Sequence, residues 1–168
     1  MSDYEHDFYA WTQEQAEALR AKEWKTLDVE NLAEEIESLG RSERYAIESH
    51  LQNLLTHLLK WRDDPATEPR RGWRLTIRNA RREIAKRARG RLGDYPAQYL
   101  ATAYRDACED AADETDLPLT TFPPTCPWSV EQVLDANFWP KTPTSAAEPQ
   151  PQGPQRRSGQ GRIGPGNR

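Results

Sequence analysis

Two sets of side chains in this chain have the types that do chemistry. The first is Glu34, Glu35, Glu37, Glu43, His50 and His57. Carboxylates with imidazoles can bind a metal ion or exchange protons. Their spacing argues against the simplest site. Glu43, His50 and His57 are each seven residues apart, so neighbours stand about 10.5 Å apart along a helix rising about 1.5 Å per residue. One ion with ligand bonds near 2 Å is not readily chelated by such a row. The E-x-x-H pair of di-iron bundles is absent. A site here needs carboxylates from a second helix, and Glu34, Glu35, Glu43 and His57 form the candidate polar cluster. The alternative is that both histidines sit hydrogen-bonded at the edge of a core while the glutamates are solvated or paired. Glu43 falls on the apolar face of its helix. If buried there, it needs an arginine or a tryptophan N–H as partner.

The second set is basic. The chain is acidic overall, with a formal net charge of −4, yet residues 70–91 carry ten Lys and Arg against Glu83 alone. Arg71, Arg78, Arg82, Lys86 and Arg89 share one side of the helix expected there, with Arg74 and Arg81 flanking the buried edge. Such a stripe can contact phosphates, with strong dependence on salt, or an acidic protein partner. The opposing reading is internal balance, in which Arg74 and Arg81 pair with Glu34, Glu35 or Glu37 and the outer stripe is solvated. Exposed pairs contribute only about 0–1 kcal/mol each, and acidic segments elsewhere oppose a phosphate backbone. Trp11, Trp61, Trp73, Trp128 and Trp139 form a third set, able to line a cleft but expected in the core. No phosphate loop, dinucleotide fingerprint, nucleophile elbow or zinc ligand set is present. No catalytic residue, metal or cofactor is expected, and whether the chain is an enzyme stays open, with the answer leaning to no.

These side chains must be positioned by helices. From Asp28 to Trp61, apolar residues fall at Val29, Leu32, Ile36, Leu39, Ile47, Leu51, Leu54, Leu58 and Trp61, which is helical spacing. Asp28 suits the N-cap and Glu30 the positive end of the helix dipole. Gly40 costs about 1 kcal/mol relative to alanine. It either admits a close neighbouring helix or ends one helix at Leu39. One long helix is the preferred reading.

Before it, Tyr4 to Trp11 is an acidic, aromatic opening whose Phe8, Tyr9 and Trp11 can dock on the domain. Thr12 and Gln15 match a capping box, predicting a short helix to about Lys22 that buries Ala16 and Leu19. Trp24 and Leu27 can staple the start of the long helix. After it, a polar turn covers Arg62 to Pro69. A helix over 70–91 then buries Trp73, Ile77, Ala80, Ile84 and Ala88 and stops at Gly90 and Gly93. Asp94 is expected to cap the next helix, which carries Tyr99, Leu100, Ala103, Tyr104, Ala107, Cys108 and Ala111. Prolines forbid a long element from Leu117 to Trp128. A second capping box, Ser129 and Gln132, starts a short helix to about Ala136. Phe122, Trp128, Leu134, Phe138 and Trp139 are expected to wrap this arm over the bundle. Lys141 to Arg168, rich in Pro, Gly, Gln, Ser and Arg, cannot bury enough surface to order itself.

The remaining bounds are broad. One domain over 1–140 suits the length. No apolar run is long enough to span a membrane, and the acidic N-terminus lacks the apolar core of a secretory signal. A cytoplasmic setting follows, with Cys108 and Cys126 as two free thiols, although a disulfide between them is conceivable.

The phrases DFYAWTQEQA, ENLAEEIESLGRSER, LLTHLLKW, WRLTIRNARREIAK and ETDLPLTTFPPTCPWSVEQVLDANFWP occur in that order. Together they resemble the bacterial domain-of-unknown-function family 29 over about Tyr4 to Pro140. The resemblance implies an all-α soluble bacterial domain and carries no known activity or site residues. The chain is therefore read as an all-α helical bundle of four main helices, with a short N-terminal helix, a proline-rich C-terminal arm and a disordered tail. Its expected role is a small interaction module without catalytic activity, binding a protein partner or a second copy of itself. The alternative is nucleic-acid association through the basic helix, and no membrane is involved.

Overall fold

The computed structural model describes residues 4–65 and 70–141. It is all-α: α1 (Phe8–Ala21), α2 (Val29–Asp63), α3 (Arg70–Arg87), α4 (Tyr95–Thr115) and α5 (Val130–Leu134), with short 3-10 turns at Gly90–Leu92 and Leu119–Thr121. There is no strand among the described residues. The expected disordered tail, Lys141 apart, and the end of the polar turn at 66–69 lie outside them.

The long helix is unbroken. Asp28 caps it, its side chain accepting from the Asn31 N–H at 3.3 Å. The helix runs straight through Gly40. A Cβ added there would meet nothing within 4 Å, so the glycine admits no close neighbour among the described residues.

The core is built on the second half of α2 only. Ile47, Leu51, Leu54, Leu55, Leu58 and Leu59 are fully buried, each contributing about 1.5–3 kcal/mol of transfer free energy. α3 returns antiparallel along this half, so that Arg87 meets Glu43 at one end and the Lys60 ammonium lies 5.1 Å from the Trp73 ring at the other. It contributes Ile77, Ala80 and Ile84. α4 then runs parallel to α2, from Tyr95, which donates to Glu48, to Glu114, which pairs with Lys60. Its buried Ala103, Ala107 and Ala111 let the two backbones approach closely. Gln52 donates to Asp110 across the same seam at 2.8 Å.

The C-terminal arm closes this core. Phe122 and Val133 are buried. Trp128, Leu134 and Trp139 pack against the cluster half-buried. The Ser129–Gln132 capping box forms in both directions, and the helix it starts ends at Leu134 rather than Ala136. Asp94 makes no side-chain capping bond to α4. Cys108 and Cys126 are free thiols, and burial pushes both pKa values up.

α1 departs most from expectation. It starts at Phe8, four residues before the predicted capping box, because Asp7 is the N-cap and accepts from the Ala10 N–H at 3.0 Å. The Thr12 hydroxyl instead donates back to the Tyr9 carbonyl. Gln15 is buried and accepts from the Asp28 N–H at 2.8 Å. The helix ends at Lys22, whose left-handed φ of 61° turns the chain. Trp11, Gln15 and Ala18 are buried, whereas Leu19, expected inside, is exposed. Trp24 is exposed too.

Candidate interaction surfaces

The candidate acid–base cluster is not brought together. Glu34 and His57 are 23 residues apart on one continuous helix, about 34 Å along its axis. Glu35 accepts from the Tyr4 hydroxyl at 2.5 Å, and that bond to a carboxylate raises the Tyr4 pKa to about 12. Glu43 lies at the surface beside Arg87, 3.5 Å away. It has the arginine partner its position called for, without being buried. His57 is hydrogen-bonded through Nδ1 to the Asn53 carbonyl at 2.8 Å. Burial holds its pKa below the usual imidazole value, against the pull of that bond. His50 is half-buried. Among the described residues no group of three or more His, Cys, Asp or Glu is placed to share an ion.

The basic helix divides into two faces. Arg71, Arg78 and Arg82 are exposed, and none has a hydrogen-bond or ion-pair partner among the described residues. Lys86 is exposed and pairs with Glu83 at 2.5 Å, and Arg89 donates to the Ala85 carbonyl. Lys86 and Arg87 together hold the Glu83 carboxyl down at about 2. The expected pairing of Arg74 and Arg81 with Glu34, Glu35 or Glu37 does not occur, because those glutamates sit on the half of α2 that α3 does not reach. Glu37 pairs with Arg41 on its own helix. Arg74 lies over the rings of Trp61 and Trp139 at 5.7 and 6.0 Å. Arg81 is buried, and its Nε and Nη2 donate to the carbonyls of Val133 and Phe138 at 2.8 and 2.9 Å. Trp61, Trp128 and Trp139 thus act as ring partners for arginines, with Arg62 over Trp128 and Arg70 over Trp61.

A third surface was missed in the sequence. α1 folds back on the first half of α2, tied by Trp11 Nε1–H to Asp28, by Gln15 to the Asp28 N–H and by Tyr4 to Glu35. Between the two helices runs an open groove of about 300 Å³, lined by Phe8, Trp11, Leu19, Leu32, Ile36 and Leu39 among others. Phe8 is 48% exposed, Leu19 44%, Val29 65%, Ile36 67% and Leu39 68%. The same stripe of α2 that is a dry core beyond Ile47 is bare before it. One signal was available. α2 has 35 residues, against 18 in α3 and 21 in α4. Helices rising about 1.5 Å per residue therefore leave about 20 Å of α2 beyond the reach of either.

No described helix is long and apolar enough to cross a membrane. Searches of curated proteins and of solved structures returned no match. The phrases that span the opening segment, the long helix, the basic helix and the C-terminal arm are matched as one unit by a family model over residues 4–139. The chain belongs to the family described as Domain of unknown function DUF29.

Proposed function

We propose that the chain is a protein-interaction module without catalytic activity, docking through the open apolar face of its α1–α2 hairpin. The observation that carries this reading is the bare stripe Val29, Ile36 and Leu39 beside Phe8 and Leu19. Contiguous apolar surface of this size on a folded chain marks interaction sites, and a groove between two helices accepts the apolar side of a third. The test places a photo-crosslinking residue at Leu39, with a control at Arg78, in the cells that carry the protein. The species captured at position 39 only is identified, purified and titrated against the wild type and against Ile36→Glu with Leu39→Glu. Binding that the double variant weakens at least about tenfold supports the reading, since truncated or charged anchors at an interface centre cost this much or more. Equal binding by both proteins, or no adduct at position 39, overturns it.

Nucleic-acid association is the second reading, favoured by the exposed Arg71, Arg78 and Arg82 on one face of α3, which have no partner among the described residues. It predicts binding of labelled RNA or DNA duplex that falls steeply with salt, with a slope of about −0.9 per phosphate contacted on B-form DNA. Arg78→Ser with Arg82→Ser should flatten that slope by about two contacts. No binding at low salt, or an unchanged slope, removes this reading.

A further inference from the structure

We propose that the partner of the hairpin face is a second copy of the same chain. The two α2 helices would lie antiparallel about a two-fold axis near Ile36, so that two α1–α2 hairpins close one four-helix bundle. The proposal rests on the interaction reading above and names its occupant.

Three observations converge on it. The first is shape. Each copy offers two helices with a continuous apolar groove between them, which is half of a four-helix bundle. An isologous contact supplies the other half with the same residues. The open stripe Val29, Leu32, Ile36 and Leu39 steps by three, four and three, the seam spacing of paired helices.

The second is area. From their exposures, Phe8, Leu19, Val29, Ile36 and Leu39 present together on the order of 500 Å² of apolar surface per copy, close to the apolar share of the roughly 800 Å² that each partner gives to a standard interface. A single foreign helix seated in the groove would leave Val29 outside it, since that residue does not line the groove.

The third is Gly40. It stands in open space at the register where an antiparallel axis centred on Ile36 delivers the partner's Leu32. A missing side chain there makes room for it, at a cost in helix propensity that the monomer alone does not repay.

The test is the mass of the purified full chain by sedimentation and light scattering across about 1–200 µM, the range where interfaces of standard size associate. The expected species is a dimer, twice the 19.3 kDa chain. Ile36→Glu with Leu39→Glu should convert it to a monomer without loss of helical circular dichroism, because neither residue belongs to the buried cluster around α2, α3 and α4. Gly40→Leu should weaken the dimer while keeping the helical circular dichroism, because a Cβ there meets nothing within 4 Å among the described residues. A monomer over the whole range overturns self-association. So does a dimer indifferent to the Ile36 and Leu39 changes. A dimer that Gly40→Leu leaves unweakened overturns the antiparallel register at Ile36. If the wild type stays monomeric while the crosslinker at position 39 captures a different protein, the interaction reading stands and only the choice of occupant fails. If neither experiment gives an adduct or a dimer, both fail.

Discussion

Leu58→Ala should lower the unfolding free energy by about 3 kcal/mol, whereas Leu39→Ala on the same helix should change it by less than about 0.5 kcal/mol in dilute protein. Both leucines lie on α2 and have the same helix propensity to lose or gain. Leu58 is fully buried among Leu54, Leu55, Ile77 and their neighbours. Truncation there removes transfer free energy and leaves a cavity that surrounding helices only partly fill. Leu39 is 68% exposed, so its truncation removes little buried area and improves helix propensity slightly. The measurement is urea denaturation followed by circular dichroism. The Leu58→Ala midpoint should fall with the slope unchanged, the sign of lost stability rather than a changed unfolded state. Repeating the Leu39→Ala curve at high protein concentration adds a second reading. If the hairpin face is covered there by another copy, this variant alone should lose the concentration-dependent part of the stability. Equal costs for the two substitutions in dilute solution would show that the hairpin face is already filled.

This contrast marks where the sequence was legible and where it was not. Periodicity identified the helical stripe from Val29 to Trp61, and the structure holds it as one helix. Periodicity reports which side of a helix is apolar. It says nothing about whether a neighbour covers that side, and Val29 reads the same as Leu51. The clue lay in comparing element lengths rather than patterns. The buried stripe of α3 was readable at Trp73, Ile77, Ala80 and Ile84 because its apolar residues are few and its other face is almost wholly charged. The Ser129–Gln132 capping box was readable because it follows a proline run that permits no earlier start. The Thr12–Gln15 box matched equally well and did not form. Asp7 is a competing cap one turn upstream, and Gln15 is held by the backbone of Asp28. A tertiary bond of that kind leaves no local trace. The same holds for Arg81. Charge counting paired it with glutamates, because carboxylates are the visible partners in a sequence. Backbone carbonyls, the partners it has, are present at every residue.

Arg81→Ala should destabilise the protein by about 3 kcal/mol and release the C-terminal arm before the three long helices unfold. The guanidinium is 5% exposed and has no carboxylate within bonding distance. Burial lowers its pKa, with Asp135 opposing, yet an arginine stays charged under such shifts. Its charge is met by the carbonyl oxygens of Val133 and Phe138, and its plane by the Trp139 ring at 5.6 Å. Removing it strips two carbonyls of charge-assisted donors, each worth about 1.5–3 kcal/mol, and relief of the buried charge returns part of that. Arg74→Ala is the control. It lies over the same ring but is exposed, so only a cation–π contact of about 0.5–1 kcal/mol is at stake. The readout is hydrogen exchange by segment. In Arg81→Ala, residues 117–140 should exchange much faster while the fully buried Leu54 to Leu59 region stays protected, because Arg81 hydrogen-bonds the arm to α3 at two carbonyls and Phe122 and Val133 seat it. Uniform acceleration across both regions would mean that arm and bundle form a single cooperative unit. Unchanged protection of the arm would mean that Phe122 and Val133 hold it without the arginine.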